Sequence, residues 1–371
     1  MESTVRNQGR DGQAATAQIA EAPTAMQNRP NDTESPVGVL VVNLGTPASP
    51  SVPDVRRYLR EFLSDPRVLT MAPIGRWLLL NLIILPFRPR KTAEAYSKIW
   101  RDEGSPLLIH SVALAKALGD RLGPGFRVEL AMRYQQPDIG SALKRFEAEG
   151  VKSVVVLPQF PQFAEAATGS AVARVQEETR RLGNPFALIT HGDFYDDPGF
   201  VQAQAELMRP MLGTHDWDHV LFSYHGLPES QLRPIQNCLS REDCCDEAEA
   251  PGRRCYRAQC FATTRALTEA LKLKDGQYSS AFQSRLTRDP WIKPYTDFVL
   301  PELYEAGKRS LFVVCPAFTA DNLETLEEVG IRLREQWREL GGSRFALAPC
   351  VNASPAYVEA LAKWVLAYTK D

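Results

Sequence analysis

The chain has 371 residues, with 43 Lys and Arg against 45 Asp and Glu and a formal net charge of −2. Hydrophobic residues make up 44% and charged residues 24%, the balance of a globular protein long enough for two full cores. Near-neutral charge removes the electrostatic basis for nucleic-acid binding, no apolar run reaches the ~20 residues that span a bilayer, and seven cysteines in this length do not form a disulfide scaffold.

Residues 1–36 are rich in Gln, Ala, Asn, Thr and Pro. Such a segment has too little apolar surface to offset the entropy of ordering and reads as a disordered tail. It lacks the apolar core of a secretory signal, so the expected compartment is the reducing cytoplasm, where thiols stay available as metal ligands. From Val37 onward, short apolar runs at 37–43, 127–132, 153–157, 186–189, 219–224, 278–282, 310–314 and 345–349 alternate with amphipathic stretches such as 137–149, 170–182, 258–273 and 323–340. Strands apolar on both faces, with helices between them, predict an α/β doubly wound fold with parallel sheets covered on both sides.

The segments 151–160 (VKSVVVLPQF) and 307–318 (GKRSLFVVCPAF) echo each other: each is a strand, a Pro and an aromatic, then a polar loop entering a helix. Two similar Rossmann-like halves account for this, although any two buried strands look alike. The expected division is a first domain at 37–205, a second at 206–340, and a strand and helix at 341–371 that close the fold. The first strand runs into NLGTPASPS, with no Gly-x-Gly-x-x-Gly turn, which argues against a dinucleotide site.

The run 77–87 (WLLLNLIILPF) is apolar except for Asn81 and is bracketed by Arg76 and by Arg88, Arg90 and Lys91. It is too short to cross a bilayer; it reads as an exposed hydrophobic lip for a membrane or an apolar substrate, with a buried core helix as the alternative.

His225 closes the strand 219–224 and enters a Gly-Leu-Pro turn. The carboxyl end of a buried parallel strand is where ligands sit in α/β folds, and an imidazole there serves as base or metal donor; a lone histidine is also commonly structural. His110, His191, His215 and His219 lack this setting. After the strand 310–314, Asp321, Glu324 and Glu328 open a helix. Glu324 and Glu328 share one helical face, yet Asp321 followed three residues later by Glu324 is also the pattern of a helix cap. Placed opposite His225, a carboxylate pair suits proton transfer and divalent metal binding.

Five cysteines crowd into 238–260: Cys238, Cys244, Cys245, Cys255 and Cys260, in an otherwise polar insert. Such an insert needs a metal for stability, either zinc or an iron–sulfur cluster; the spacings are not the paired Cys-x2-Cys of zinc ribbons, and adjacent Cys244 and Cys245 would strain to share one metal. Cys315 and Cys350 read as core residues.

Six ordered motifs give the chain its resemblance. They are NLGTP at 43–47, MRYQQP at 132–137, LPQFPQF at 157–163 with TGS at 168–170, SYHGLPES at 223–230, FQSRLTRDPWIKPYTD at 282–297 and CPAFTADNLETLEE at 315–328. Together they resemble the ferrochelatases. The resemblance implies two similar Rossmann-like domains, each a parallel sheet flanked by helices, around a porphyrin cleft, and insertion of ferrous iron into protoporphyrin IX to form protohaem. It implies His225, Glu324 and Glu328 as catalytic residues, with His225 and Glu324 also contacting the substrate iron. Arg133, Tyr134, Phe160, Trp291 and Leu44 are implied to hold the porphyrin, and the 77–87 lip to touch the inner membrane from the cytoplasmic side. The cysteine insert resembles that of a bacterial subgroup with an internal [2Fe–2S] cluster, held by four of the five cysteines. The expected state is a monomer or homodimer without nucleic acid. Asn322 stands where many relatives carry His, Leu44 where others carry Met or Tyr, and the carboxyl-terminal cysteine ligands of animal-type relatives are absent.

Overall fold

The computed structural model describes residues 35–232, 244–245, 254–285 and 290–369. The tail expected at 1–36 falls, up to residue 34, outside the described residues, as does Cys238.

Among the described residues eight strands form: β1 (Val37–Gly45), β2 (Phe126–Tyr134), β3 (Ser153–Pro158), β4 (Ala187–Thr190), β5 (His219–His225), β6 (Tyr278–Gln283), β7 (Ser310–Val314) and β8 (Arg344–Leu347). They make two sheets with one topology, ordered β2-β1-β3-β4 and β6-β5-β7-β8, with every pairing parallel. The echo between 151–160 and 307–318 is therefore structural: β3 and β7 occupy equivalent places, and so do β1 and β5. The loops that follow the echoed strands meet. Gln162 Nε2 donates to the Pro316 carbonyl at 3.3 Å, and Thr319 Oγ1 to that of Gln159 at 3.1 Å.

Burial on both faces follows from the strand sequences. In β1, Val39 and Val41 enter a core shared with Val220, Phe222 and Tyr224 of β5, while Leu40 and Val42 enter an outer core under the helices Ile139–Ala148 and Ser170–Arg181. Alternate residues point to opposite faces, so a strand of uniform apolarity must be covered twice. The shared core also holds Tyr357, Leu361 and Val365 of the closing helix Pro355–Thr369, which packs on the helices Pro106–Leu122 and Pro198–Leu212.

The 77–87 run is helical: Pro73–Leu78, a π-wound stretch Leu79–Ile84, and the start of the helix Leu85–Ile99. Only Leu80 and Leu85 of the run are buried, in a cluster with Val55, Tyr58, Leu59, Tyr96 and Tyr134. Ile74, Trp77 and Phe87 are 77%, 60% and 75% exposed, and Leu78, Leu82 and Ile83 are exposed beside them. The run is thus a projecting apolar rim, not a core helix. Among the described residues no helix is long and apolar enough to cross a membrane.

Candidate active site

His225 ends β5, and its backbone is locked from three sides. Gly226 N–H donates to the Gln283 carbonyl at 2.8 Å, Ile292 N–H to that of Leu227 at 3.0 Å, and Tyr256 Oη to that of His225 itself at 2.7 Å. A Cβ at position 226 would come within 2.7 Å of the Gln283 oxygen, so only glycine lets the chain turn here. His225 Nδ1 lies 2.6 Å from the Gly226 carbonyl. A carbonyl only accepts, so Nδ1 carries the proton and Nε2 is left with a free lone pair. Burial holds this imidazole below its ordinary pKa, against the Glu328 charge and the Gly226 carbonyl, which favour the protonated form.

The carboxylates sit on the segment Glu324–Leu333, which is π-wound before it tightens into the α-helix Arg334–Glu339. The expected cap by Asp321 does not form. Its carboxylate accepts instead from Cys350 N–H and Asn352 Nδ2 at 3.1 and 2.8 Å, and Asn322 Oδ1 takes the N–H of Thr325 at 3.0 Å. Glu324 is therefore not part of a capping box; its carboxylate takes its own N–H. Thr325, Glu327, Val329 and Leu333 are buried while Leu326 is only half-buried, since the wider winding shifts which positions face inward.

The three glutamates part company. Glu327 is buried between Lys98 and Arg332, at 3.3 and 2.8 Å. Glu328 accepts from Ser284 N–H at 2.9 Å and Ser284 Oγ at 2.5 Å, within reach of the His225 charge. Burial, reinforced by the Glu328 charge, raises the Glu324 pKa to about 7. Leu323 inserts into the lip cluster beside Tyr58 and Tyr96, both of which feel the Glu324 charge. Behind Glu328 a polar cavity of about 550 Å³ is lined by Ser284, Arg285, Asp297, Glu328, Arg332 and Gln336, among others.

Two residues that sequence reasoning passed over organise this group. Gln283, buried at the end of β6, takes Ser223 Oγ on its side-chain oxygen at 2.6 Å and donates Nε2 to the Glu324 carbonyl at 3.1 Å. Its main chain holds Gly226, so one residue ties the His225 strand to the Glu324 segment. Its place in FQS directly after a strand was the available signal. Arg88, read above as a flanking charge of the lip, is half-buried within electrostatic reach of Glu324 and Glu328, and burial lowers its pKa against their pull.

The other candidate residues are placed as follows. Arg133 Nη2 pairs with Asp65 at 2.7 Å and its Nε meets Ser170 Oγ at 2.7 Å; Tyr134 is wholly buried, with Oη on Asp65 at 2.9 Å. Tyr134 thus supports the pocket from within the core rather than presenting a surface to a ligand. Trp291 is buried beneath Gly226 and braces the His225 turn. Phe160 packs on the outer core, and Leu44 on the lip cluster. Cys244, Cys245, Cys255 and Cys260 are all buried. Cys245 feels the charges of Cys244 and Cys255 and accepts from Arg257 Nη1 at 3.4 Å, and Cys260 feels those of Cys255 and Cys245. Among the described residues no group of three or more His, Cys, Asp or Glu side chains is arranged to hold a metal ion.

Two like α/β lobes with an imidazole and buried carboxylates where they meet define a chelatase-type protein. The fold is shared with SirB from Bacillus subtilis solved with Fe3+, at TM-score 0.51 and 12% identity over 89% of this chain and 94% of that one. It is also shared with the sirohydrochlorin chelatase SirB from B. subtilis subspecies spizizenii in complex with cobalt, at TM-score 0.50 and 11% identity over 88% and 92%. Residues 36–368 match the ferrochelatase family. The ferrochelatase of Coxiella burnetii is 46% identical over 331 residues, 88% of this chain and 92% of that protein. That of Bdellovibrio bacteriovorus is 44% identical over 328 residues, 88% of this chain and 98% of that protein. The chain belongs to the ferrochelatase family.

Proposed function

We infer that the cleft inserts ferrous iron into protoporphyrin IX, giving protohaem and two protons, the last step of haem biosynthesis. The observation that carries this reading is the tautomer of His225: its Nδ1–H is spent on the Gly226 carbonyl, so Nε2 offers a lone pair within electrostatic reach of Glu328, on the segment that also carries Glu324.

Metalation breaks two pyrrole N–H bonds and leaves four nitrogens for the metal. His225 Nε2 accepts a pyrrole proton, and a lowered imidazole pKa keeps that atom free at neutral pH. Used instead to hold the incoming iron, with Glu324 as the oxygen donor, the same lone pair must release the metal to the ring nitrogens before it can take the proton. Glu324, poised near neutrality, takes up and releases a proton as the reaction requires. Glu328 joins it to the polar cavity behind, which gives protons a path to solvent. Arg88 balances the two carboxylates. Arg133 and Leu44 line the pocket for the ring, with Tyr134, Phe160 and Trp291 as its supporting aromatics. Anaerobic incubation with protoporphyrin IX and ferrous iron is expected to give many turnovers of haem per chain; stoichiometric binding without turnover would mark a carrier instead.

The exposed rim from Ile74 to Phe87, with Arg90 and Lys91 exposed behind it, supports peripheral contact with the inner membrane from the cytoplasmic side and entry of a membrane-partitioned porphyrin. We read 37–205 and 206–340 as the two lobes, closed by 341–371, on the repeated strand order. For the cysteine insert we propose a [2Fe–2S] cluster on four of Cys238, Cys244, Cys245, Cys255 and Cys260. The support is the donor set: Cys244, Cys245, Cys255 and Cys260 are buried soft donors, and Cys245 lies within electrostatic reach of Cys244, Cys255 and Cys260. When bound, such a cluster supplies a covalent clamp and one-electron redox capacity. Insertion of ferrous iron involves no net electron transfer, so the cluster stands outside the chemistry.

A further inference from the structure

The polar cavity behind Glu328 reaches from the site to solvent: buried Gln283 lines it at one end, and the side chains of Asp297 and Arg332, about half exposed, line it at the other. Its carboxylates are already engaged. Arg285 Nη2 holds Asp297 Oδ2 at 2.6 Å, and its guanidinium lies over the rings of Tyr295 and Phe298, 4.2 and 4.6 Å from their centroids. Arg332 Nε holds Glu327 at 2.8 Å, and its Nη2 lies 3.9 Å from Glu328. The two oxygens of Glu328 accept from Ser284 N–H and Oγ at 2.9 and 2.5 Å. No carboxylate of the described lining therefore has both oxygens open. Two arginines against Asp297 and Glu328 leave that lining without net charge, so a proton handed on through water meets no large barrier. A divalent cation is treated differently. It must exchange hydration water for oxygen donors, and it finds them held by guanidiniums that cannot deprotonate.

Resting on the reading of this cavity as the way out for pyrrole protons, we propose that Arg285 and Arg332 are specificity-determining residues that pass protons and refuse divalent cations, the substrate iron included. They act by occupying the carboxylates such an ion needs and by setting two permanent positive charges against its own. A metal lodged behind Glu328 would oppose the proton leaving it. Keeping metal out of the cavity separates the traffic of protons from the traffic of iron.

The test counts Mn2+ bound to the full chain by electron paramagnetic resonance, in the natural protein and in Arg285→Gln/Arg332→Gln. Haem formation by each is followed in parallel with and without millimolar Mg2+, a hard cation that seeks carboxylate oxygens. Gln removes the charge and frees Asp297 and Glu327 from their partners. The double variant is expected to bind one Mn2+ more per chain than the natural protein. Mg2+ is expected to slow its turnover about fivefold and to change that of the natural protein less than twofold. Adding Asp297→Asn to the double variant is expected to abolish the extra ion, and Arg332→Lys, which keeps the charge, to bind none. Should the double variant not fold, Arg285→Gln and Arg332→Gln singly take its place. The proposal is overturned if no extra Mn2+ binds, if the extra ion survives Asp297→Asn, or if Arg332→Lys binds it too. It is equally overturned if Asp297→Asn removes a Mn2+ from the natural protein, because the cavity then takes a cation with both arginines in place. An extra ion in the double variant with turnover indifferent to Mg2+ contradicts instead the reading of the cavity as the proton path.

Discussion

At the residue scale the site is governed by which protons are already committed. His225 has given Nδ1–H to Gly226, and Glu324 is held near neutrality by burial. A carboxyl raised from 4.5 to about 7 resists ionising in the folded protein, so its stability contribution is fully present below pH 4.5 and is lost as pH rises through 7. Glu324→Gln is therefore expected to melt above the natural protein at pH 8 and close to it at pH 4, as followed by circular dichroism. The same substitution is expected to remove a limb near pH 7 from the kcat profile, which rises as Glu324 ionises. Asp65 shows the opposite balance. Burial opposes its charge, but Ser170, the Arg67 N–H, Tyr134 and Arg133 outweigh it and hold the carboxyl below its usual range. Asp65→Ala leaves Arg133 and two hydroxyls without their acceptor in a largely buried place. Urea denaturation is expected to show a loss of about 3 kcal/mol.

At the element scale, strands were more legible than helix starts. Strand apolarity is set by burial on both faces, which any parallel sheet demands, so runs such as VGVLVVN and SLFVV located β1 and β7 to within a few residues. The start of the helix after β7 was ambiguous in sequence because Asp321 and Glu324 also satisfy the spacing of a cap; Asp321 found other partners, Asn352 among them, and the segment took a π winding, which no local pattern announces. Gln283 was missed for a similar reason. Its role lies in bonds to residues 60 and 41 positions away, and sequence spacing carries no record of them. Gln283→Ala is expected to lower kcat about tenfold with porphyrin KM little changed, because the Glu324 segment loses its tie to β5. The lip belongs to this scale too. Replacing Trp77, Ile83 and Phe87 together by Ser removes three exposed apolar groups and is expected to weaken binding to anionic vesicles about tenfold or more, while turnover in detergent stays within twofold.

At the scale of the whole molecule, the repeated order of the two sheets was visible in sequence only as a faint echo between 151–160 and 307–318. The structure shows why those segments matter: their loops bond to one another, and they carry the two lobes together. The position of His225 in the whole was legible because the carboxyl end of a central parallel strand is a rule of the architecture. Arg88 was not legible, since its partners arrive from the other lobe. For the cysteine insert, purified protein is expected to be red-brown with about two irons and two acid-labile sulfides per chain; a colourless protein with one zinc contradicts the cluster.

The most direct test compares His225→Ala with the natural protein in anaerobic ferrous-iron insertion, with porphyrin affinity measured in parallel by fluorescence quenching. An imidazole lone pair acting on the pyrrole protons requires turnover to fall at least about a hundredfold while porphyrin affinity stays within a few-fold. Near-normal turnover in His225→Ala would contradict the account.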